Sequence, residues 1–193
     1  MARKVGLDRQ DVVAAAAALA DAAGSEAVTL TAVANVLGIR PPSLYAHVSG
    51  LPGLKREMAL LAASRLGESL AAAASGAEGI ASLRRICAAY RTFAVAHPGL
   101  YGMAQRAVAP GEDDELYDEL AAAVWPVLAA LAEAGVPEAR RVHLARSVRS
   151  ALHGFVQLEQ GGGFGMPESV DESFHELVDL LMAGVASVRR EEG

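Results

Sequence analysis

The twenty residues from Thr29 to Val48, TLTAVANVLGIRPPSLYAHV, leave a chain few ways to fold. Thr29 or Thr31 can cap a helix by accepting a backbone N–H. Apolar residues follow at Leu30, Val33, Ala34 and Leu37, the i, i+3, i+4, i+7 spacing of a short helix with one apolar face. Gly38 comes next, where a helix C-terminus commonly needs left-handed backbone, and Ile39 is a single apolar plug in the turn. Pro41 and Pro42 suit the first turn of a new helix, because the N–H groups they lack would go unpaired there. The spacing therefore predicts a helix, a turn of about four residues and a second short helix ending near Val48, the pattern of a helix-turn-helix.

The second helix is too short and too polar to be explained by core packing. Leu44 and Val48, four apart, can hold it on its neighbours, leaving Arg40, Pro42, Ser43, Tyr45 and His47 on the other faces. Side chains of these kinds donate to phosphate oxygens or reach base edges and thymine methyls. The competing reading is a surface hairpin with a partly buried tyrosine and an ordinary exposed histidine.

Residues 8–60 resemble the DNA-binding region of the tetracycline-repressor (TetR) family of bacterial regulators. The resemblance is carried by the run Val12 to Gly24, by Val28-Thr29-Leu30-Thr31-Ala32-Val33-Ala34, by Leu37-Gly38-Ile39, and by Ser43-Leu44-Tyr45-Ala46-His47-Val48. It implies a homodimeric repressor whose C-terminal helices bind a small molecule. The DNA-binding residues expected are Thr29, Thr31, Arg40, Pro42, Ser43, Tyr45, His47, Ser49 and Lys55. One departure stands out: the family commonly has lysines after the recognition helix, and this chain has Ser49, Gly50, Leu51 and Pro52. Ser49, backbone N–H groups and Lys55 would then hold the phosphate.

Composition fits an all-helical chain. Of the 193 residues 52% are hydrophobic but only 5% aromatic, so the apolar content is largely alanine and aliphatic, which favours helix over strand. The charge of −6 is unevenly spread. Residues 1–57 hold six basic and five acidic side chains, leaving 11 basic and 18 acidic beyond them. An acidic body with a less acidic head can present one face to DNA. A single cysteine, Cys87, excludes an internal disulfide and suits a reducing cytoplasm, the expected location. No secretory signal core or apolar run of about 18 residues appears, so no membrane association is expected.

The expected fold is all-α, with about nine helices. Residues 1–57 would form a three-helix DNA-binding head with the helix-turn-helix, and residues 58–193 a helical body for ligand binding and dimerisation. Arg3, Lys4 and Arg9 form a basic arm ahead of a first helix capped by Asp8 and closed at Gly24. A long helix runs from about Leu51 to Ala74 and another from about Ile80 to Ala96, where His97-Pro98-Gly99 reads as a stop and turn. After the Pro110-Gly111 turn, Asp113 to Ala134 reads as a helix that Pro126 must kink or split. Two further helices, about Pro137–Gln160 and Asp171–Arg189, flank the glycine-rich segment around Phe164. Their apolar stripes, including Phe174, Leu177, Val178, Leu181, Met182 and Val185, fit either a monomer core or a partner helix pair, and the family resemblance favours a homodimer.

Bulky residues are unevenly used. Tyr90, Phe93, Tyr101, Met103, Trp125, Phe155 and Phe164 are candidate walls of an apolar cavity, with His97, Arg149 and Gln157 as polar groups that orient a guest. Core filling is the alternative. The effector class implied is neutral or weakly anionic and largely hydrophobic. Catalytic patterns are absent from the sequence: there is no G-x-S-x-G, no HExxH and no histidine pair at metal-ligating helical spacing. No cofactor, metal or catalytic residue is expected. A ligand-controlled DNA-binding repressor is therefore set against a helical enzyme or carrier without DNA binding, and against a helix-bundle adaptor.

Overall fold

The computed structural model describes residues 6–105, 108–109 and 111–190. Arg3, Lys4 and Pro110 lie outside the described residues. Among those described are nine α-helices, two 3-10 helices and no strand. The chain divides into two compact units: Met1–Arg65 with Ala96–Leu120, and Leu66–Val95 with Ala121–Gly193. No helix among the described residues is long and apolar enough to cross a membrane.

The first unit begins with α1 (Arg9–Ala23), whose start is set by local chemistry. The Asp8 carboxylate accepts the Asp11 N–H at 2.8 Å, and the Asp11 carboxylate accepts the Asp8 N–H at 3.1 Å. This reciprocal capping satisfies two donors that a helix start leaves unpaired. Helix α1 buries Val12, Val13, Ala16, Ala17 and Ala20, then ends at Gly24. A 3-10 turn (Ser25–Ala27) leads to α2 (Leu30–Leu37), where Thr29 Oγ1 accepts the Ala32 N–H at 3.1 Å. A 3-10 helix (Pro41–Ala46) follows, then α3 (Gly50–Ala74). Val12, Ala16, Val33, Ala34, Leu44, Leu54 and Met58 close one aliphatic core, with Leu30, Leu37, Ile39 and Leu51 partly buried around it.

The second unit takes in most of α4 (Gly79–Ala96), which buries Leu83, Ile86, Cys87, Tyr90, Phe93 and Ala94. Helix α4 stops at Ala96, as expected from His97-Pro98-Gly99, but a second helix follows where a turn was expected. Pro98 opens a short helix α5 (Pro98–Ala104), which with the start of α6 (Asp114–Ala122) belongs to the first unit. The helix expected over 113–134 is split, as a proline in its interior requires: α7 (Trp125–Glu133) restarts with Pro126 in its first turn. Helices α8 (Glu138–Gln160) and α9 (Val170–Arg190) complete the second unit.

Two close contacts show how small residues set helix spacing there. A Cβ on Gly67 of α3 would lie 3.2 Å from the Ala123 Cα, and the Gly79 N–H donates to the Glu133 carboxylate at 3.0 Å. On α9 the stripe residues Phe174, Val178, Met182 and Val185 are buried within the single chain, the first of the two uses their spacing allows. Leu177 and Leu181 are half-buried, whereas Leu180 is 70% exposed.

Candidate nucleic-acid interface

The turn after α2 is locked by its own backbone. Gly38 sits at φ 67°, ψ 31°, a left-handed conformation that costs a residue with a Cβ but not glycine. The Ile39 N–H reaches back to the Ala34 carbonyl at 3.0 Å and the Gly38 N–H to that of Asn35 at 3.2 Å. From Pro41 to Ala46 the chain winds as a 3-10 helix rather than the α-helix expected. Two adjacent prolines withhold two N–H groups. The donors that remain close tighter turns, Ser43 N–H to Arg40 O at 2.9 Å and His47 N–H to Leu44 O at 2.9 Å.

That change of helix type re-sorts the side chains. With three residues per turn, positions i and i+3 eclipse. Pro41, Leu44 and His47 share the inward edge: Leu44 is fully buried, and Pro41 and His47 are half-buried. Arg40, Ser43 and Ala46 share an exposed edge, and Pro42 and Tyr45 another, with Tyr45 65% exposed. His47 therefore does not stand beside Tyr45 on the outer surface. Of the other residues singled out, Thr31 and Ser49 are exposed and Lys55 is half-buried. Thr29 is exposed with its oxygen engaged as the α2 cap. Asn35 and Val36 (60% exposed) complete the outer face of α2 and were missed by sequence reasoning. The signal was available: Asn35 lies one helical turn after Thr31, opposite the Val33 and Ala34 stripe.

Charge near this surface is partly consumed inside the first unit. Arg56 Nε and Nη2 donate to the two oxygens of Asp113 at 2.6 and 2.7 Å, and Nη2 also reaches Glu115 at 2.7 Å. These hydrogen bonds push the Arg56 guanidinium further above its ordinary value. Arg9 pairs with Glu57 at 3.2 Å.

The residues expected to line a cavity are distributed between the units. His97, Tyr101 and Met103 belong to the first. His97 Nδ1 lies 3.0 Å from Asp21 Oδ2, Tyr101 is fully buried, and Met103 packs against the aliphatic core that contains Leu44. In the second unit Tyr90 and Phe93 are buried on α4. The Phe155 ring meets Phe164 at 4.8 Å and Phe174 at 5.2 Å. Arg91, which sequence reasoning passed over, lies 4.8 Å over the Phe174 ring and binds Glu159 at 2.9 Å and Asp171 at 2.7 Å. Gln160 donates to the Ala94 carbonyl at 2.7 Å, fastening the end of α8 to α4. Trp125 (66% exposed), Arg149 and Gln157 face solvent rather than an enclosed space.

Two groups in the second unit are shifted by their surroundings. Burial pushes the Cys87 thiol up to about 12, which keeps it a protonated, unreactive packing group at neutral pH. Burial, and secondarily the Arg149 charge, lowers His153 below the ordinary histidine range.

Comparison with known proteins gives a consistent outcome. The family model described as "Tetracyclin repressor-like, C-terminal domain" matches residues 83–181. The uncharacterized HTH-type transcriptional regulator YobS of Bacillus subtilis is 30% identical over 185 residues, covering 96% of each chain. The uncharacterized HTH-type transcriptional regulator Rv0681 of Mycobacterium tuberculosis is 32% identical over 185 residues, covering 96% of this chain and 84% of its own. Among solved structures, a TetR variant from Acinetobacter baumannii AYE in complex with minocycline shares the fold with a TM-score of 0.72. It is 21% identical and covered over 99% of its length, against 95% of this chain.

Proposed function

The chain belongs to the TetR family of transcriptional regulators, and from that premise we propose that it is a homodimeric repressor that leaves a palindromic operator when a small apolar effector binds. DNA-binding regulation of transcription is the family's activity. The observation that carries the reading for this chain is the Pro41–Ala46 turn: it rests on buried Leu44 and offers Arg40, Pro42, Ser43 and Tyr45 outward. Arg40 and Tyr45 supply donors for phosphate, and Pro42 and Ser43 are compact enough to approach base edges. With relatives that are regulators, we assign no catalytic role to the chain and place it in the cytoplasm.

Dimerisation is proposed through α8 and α9, by the face opposite the buried stripe. On α9 that face carries Leu180, Ala183, Gly184 and Ser187, and on α8 Ser150, Gly154 and Leu158, all exposed. A Cβ at Gly154 or Gly184 would meet nothing within 4 Å, so a second helix pair can come close. The effector is proposed to bind in the second unit beside Tyr90, Phe93, Phe155 and Phe164. Support for a small-molecule effector comes from that concentration of rings and from the TetR neighbour that holds minocycline.

The test is selection of a preferred duplex from a random library, followed by titration at several salt concentrations. Counterion release makes log affinity fall linearly with log salt for a phosphate-binding protein. Tyr45→Phe is expected to weaken all sequences alike, and Ser43→Ala to relax preference at one or two base pairs. A chain that enriches no duplex, or binds with no salt dependence, is not a DNA-binding regulator. Leu180→Glu is expected to yield folded monomers by sedimentation; an intact dimer would move the interface elsewhere.

A further inference from the structure

Charge is divided between the last two helices rather than mixed along them. From Arg140 to Leu158, α8 carries Arg140, Arg141, Arg146 and Arg149 and no acid. From Asp171 to Val188, α9 carries Asp171, Glu172, Glu176 and Asp179 and no lysine or arginine. The two helices lie side by side in the second unit, where the Phe155 and Phe174 rings meet at 5.2 Å. Several of these charges are engaged inside the chain. Arg141 Nε donates to the Val136 carbonyl at 2.9 Å, Asp171 pairs with Arg91 at 2.7 Å, and Asp179 pairs with Arg84. Arg146 and Glu176 are exposed, and neither side chain has a partner among the described residues. Both stand on the outward face proposed above for a second copy. Arg146 precedes Ser150 by one helical turn and Glu176 precedes Leu180 by one, away from buried Val148 and Val178.

We propose that Arg146 and Glu176 are the residues by which this face recognises a second copy of the chain, with α8 of each protomer laid on α9 of the other. A two-fold interface uses one patch twice, so each helix meets either its own copy or the other helix. With α8 on α8, Arg146 and Arg149 would face the same arginines. With α9 on α9, Glu172 and Glu176 would face the same acids. Only α8 on α9 sets opposite charges together, and symmetry makes that match twice. Ser150, Gly154, Ala183 and Gly184 beside them are small, so the long Arg146 side chain can lie across the seam with its guanidinium toward a carboxylate. Opposed like charges cost more at an interface than matched charges contribute, so the pair acts mainly by excluding other pairings and other partners. The inference rests on the dimer reading above and deepens it, by naming what makes the partner this chain rather than another helix pair.

Charge reversal in the full chain supplies the test. Arg146→Glu gives one chain acids at both positions, and Glu176→Arg gives the other chain bases at both. Each variant alone is expected to dissociate about tenfold more readily than wild type in sedimentation at low salt. In an equimolar mixture of the two, both contacts are matched again. Native mass spectra of that mixture are expected to show heterodimer well above the chance share of about one half, with the excess shrinking as salt is raised. The double variant carrying both reversals is expected to pair with itself like wild type. Glu138→Arg serves as the control: it makes the same change of charge on α8, one stripe round with buried Ala145, and its mixture with Arg146→Glu stays at the chance share.

A chance share of heterodimer from Arg146→Glu and Glu176→Arg overturns the inference. So does wild-type self-association in both single variants, or an equal excess with Glu138→Arg. If a reversal does not fold by circular dichroism, Arg146→Gln and Glu176→Gln decide: weakened pairing supports the inference, and wild-type pairing in both overturns it. A wild-type chain that stays monomeric at every concentration removes the dimer reading itself, and this inference with it.

Discussion

Around the Pro41–Ala46 turn the helices close on valine, alanine, leucine and methionine, without one aromatic ring. In the second unit the ends of α4, α8 and α9 close on Phe155, Phe164 and Phe174 under the guanidinium of Arg91. The difference lies in the size of the side chains that fill each core. Small side chains let helices approach closely, and there a short turn is fixed by a single leucine. In the second unit rings pack on one another, and a cation lies over their faces while pairing with Glu159 and Asp171. The first arrangement leaves polar side chains outside for another molecule, whereas the second keeps its charges for itself.

The contrast can be broken most forcefully at Phe155. Phe155→Ala is expected to cost about 3–5 kcal/mol in urea unfolding, since it removes a ring in contact with two others and leaves a cavity. DNA affinity per folded molecule should hold. A parallel loss of affinity would mean that the aromatic cluster also governs reading. Leu44→Ala is expected to cost about 3 kcal/mol and also to reduce binding to the selected duplex at temperatures where the chain stays folded. Stability lost without any change in binding would deny Leu44 its role as the anchor of the turn.

Smaller effects sharpen the comparison. Thr29→Ala removes the α2 cap and should cost about 1 kcal/mol, with Asn or Asp restoring most of it. Rescue by Asp would separate the capping function from any contact of the hydroxyl with DNA, because a carboxylate would repel phosphate. The smallest effect expected is at His153. Its folded form favours the neutral ring, so its contribution is complete above the ordinary histidine value near 6.5 and is lost as pH falls below that toward the depressed folded value. His153→Gln should flatten the acid side of the stability–pH curve measured by urea midpoints. An unchanged slope would assign the acid sensitivity to other groups.

Local chemistry was legible in the sequence. Asp8, Gly24, Thr29 and Gly38 mark their helix ends because capping needs only neighbours along the chain, and Pro126 splits its helix for the same reason. The composition of the candidate interface was legible too, but its arrangement was not. Whether Pro41-Pro42 opens an α-helix or a 3-10 helix decides which edge His47 occupies, and residue types alone do not settle that. Helix α5 was read as a turn because its N-terminal partner, Asp21, belongs to α1. The solvent exposure of Trp125 and the burial of the α9 stripe likewise depend on packing between helices distant in sequence.

The Asp21 carboxylate accepts the Leu100 N–H at 3.0 Å, and this capping of α5 has a consequence for biosynthesis. Ribosomes add about 5–20 residues per second, so the 79 positions between Asp21 and Leu100 correspond to about 4–16 s of elongation. Throughout that interval the nascent α1 must keep the Asp21 carboxylate hydrated. The residues that will lie against it have not yet left the exit tunnel.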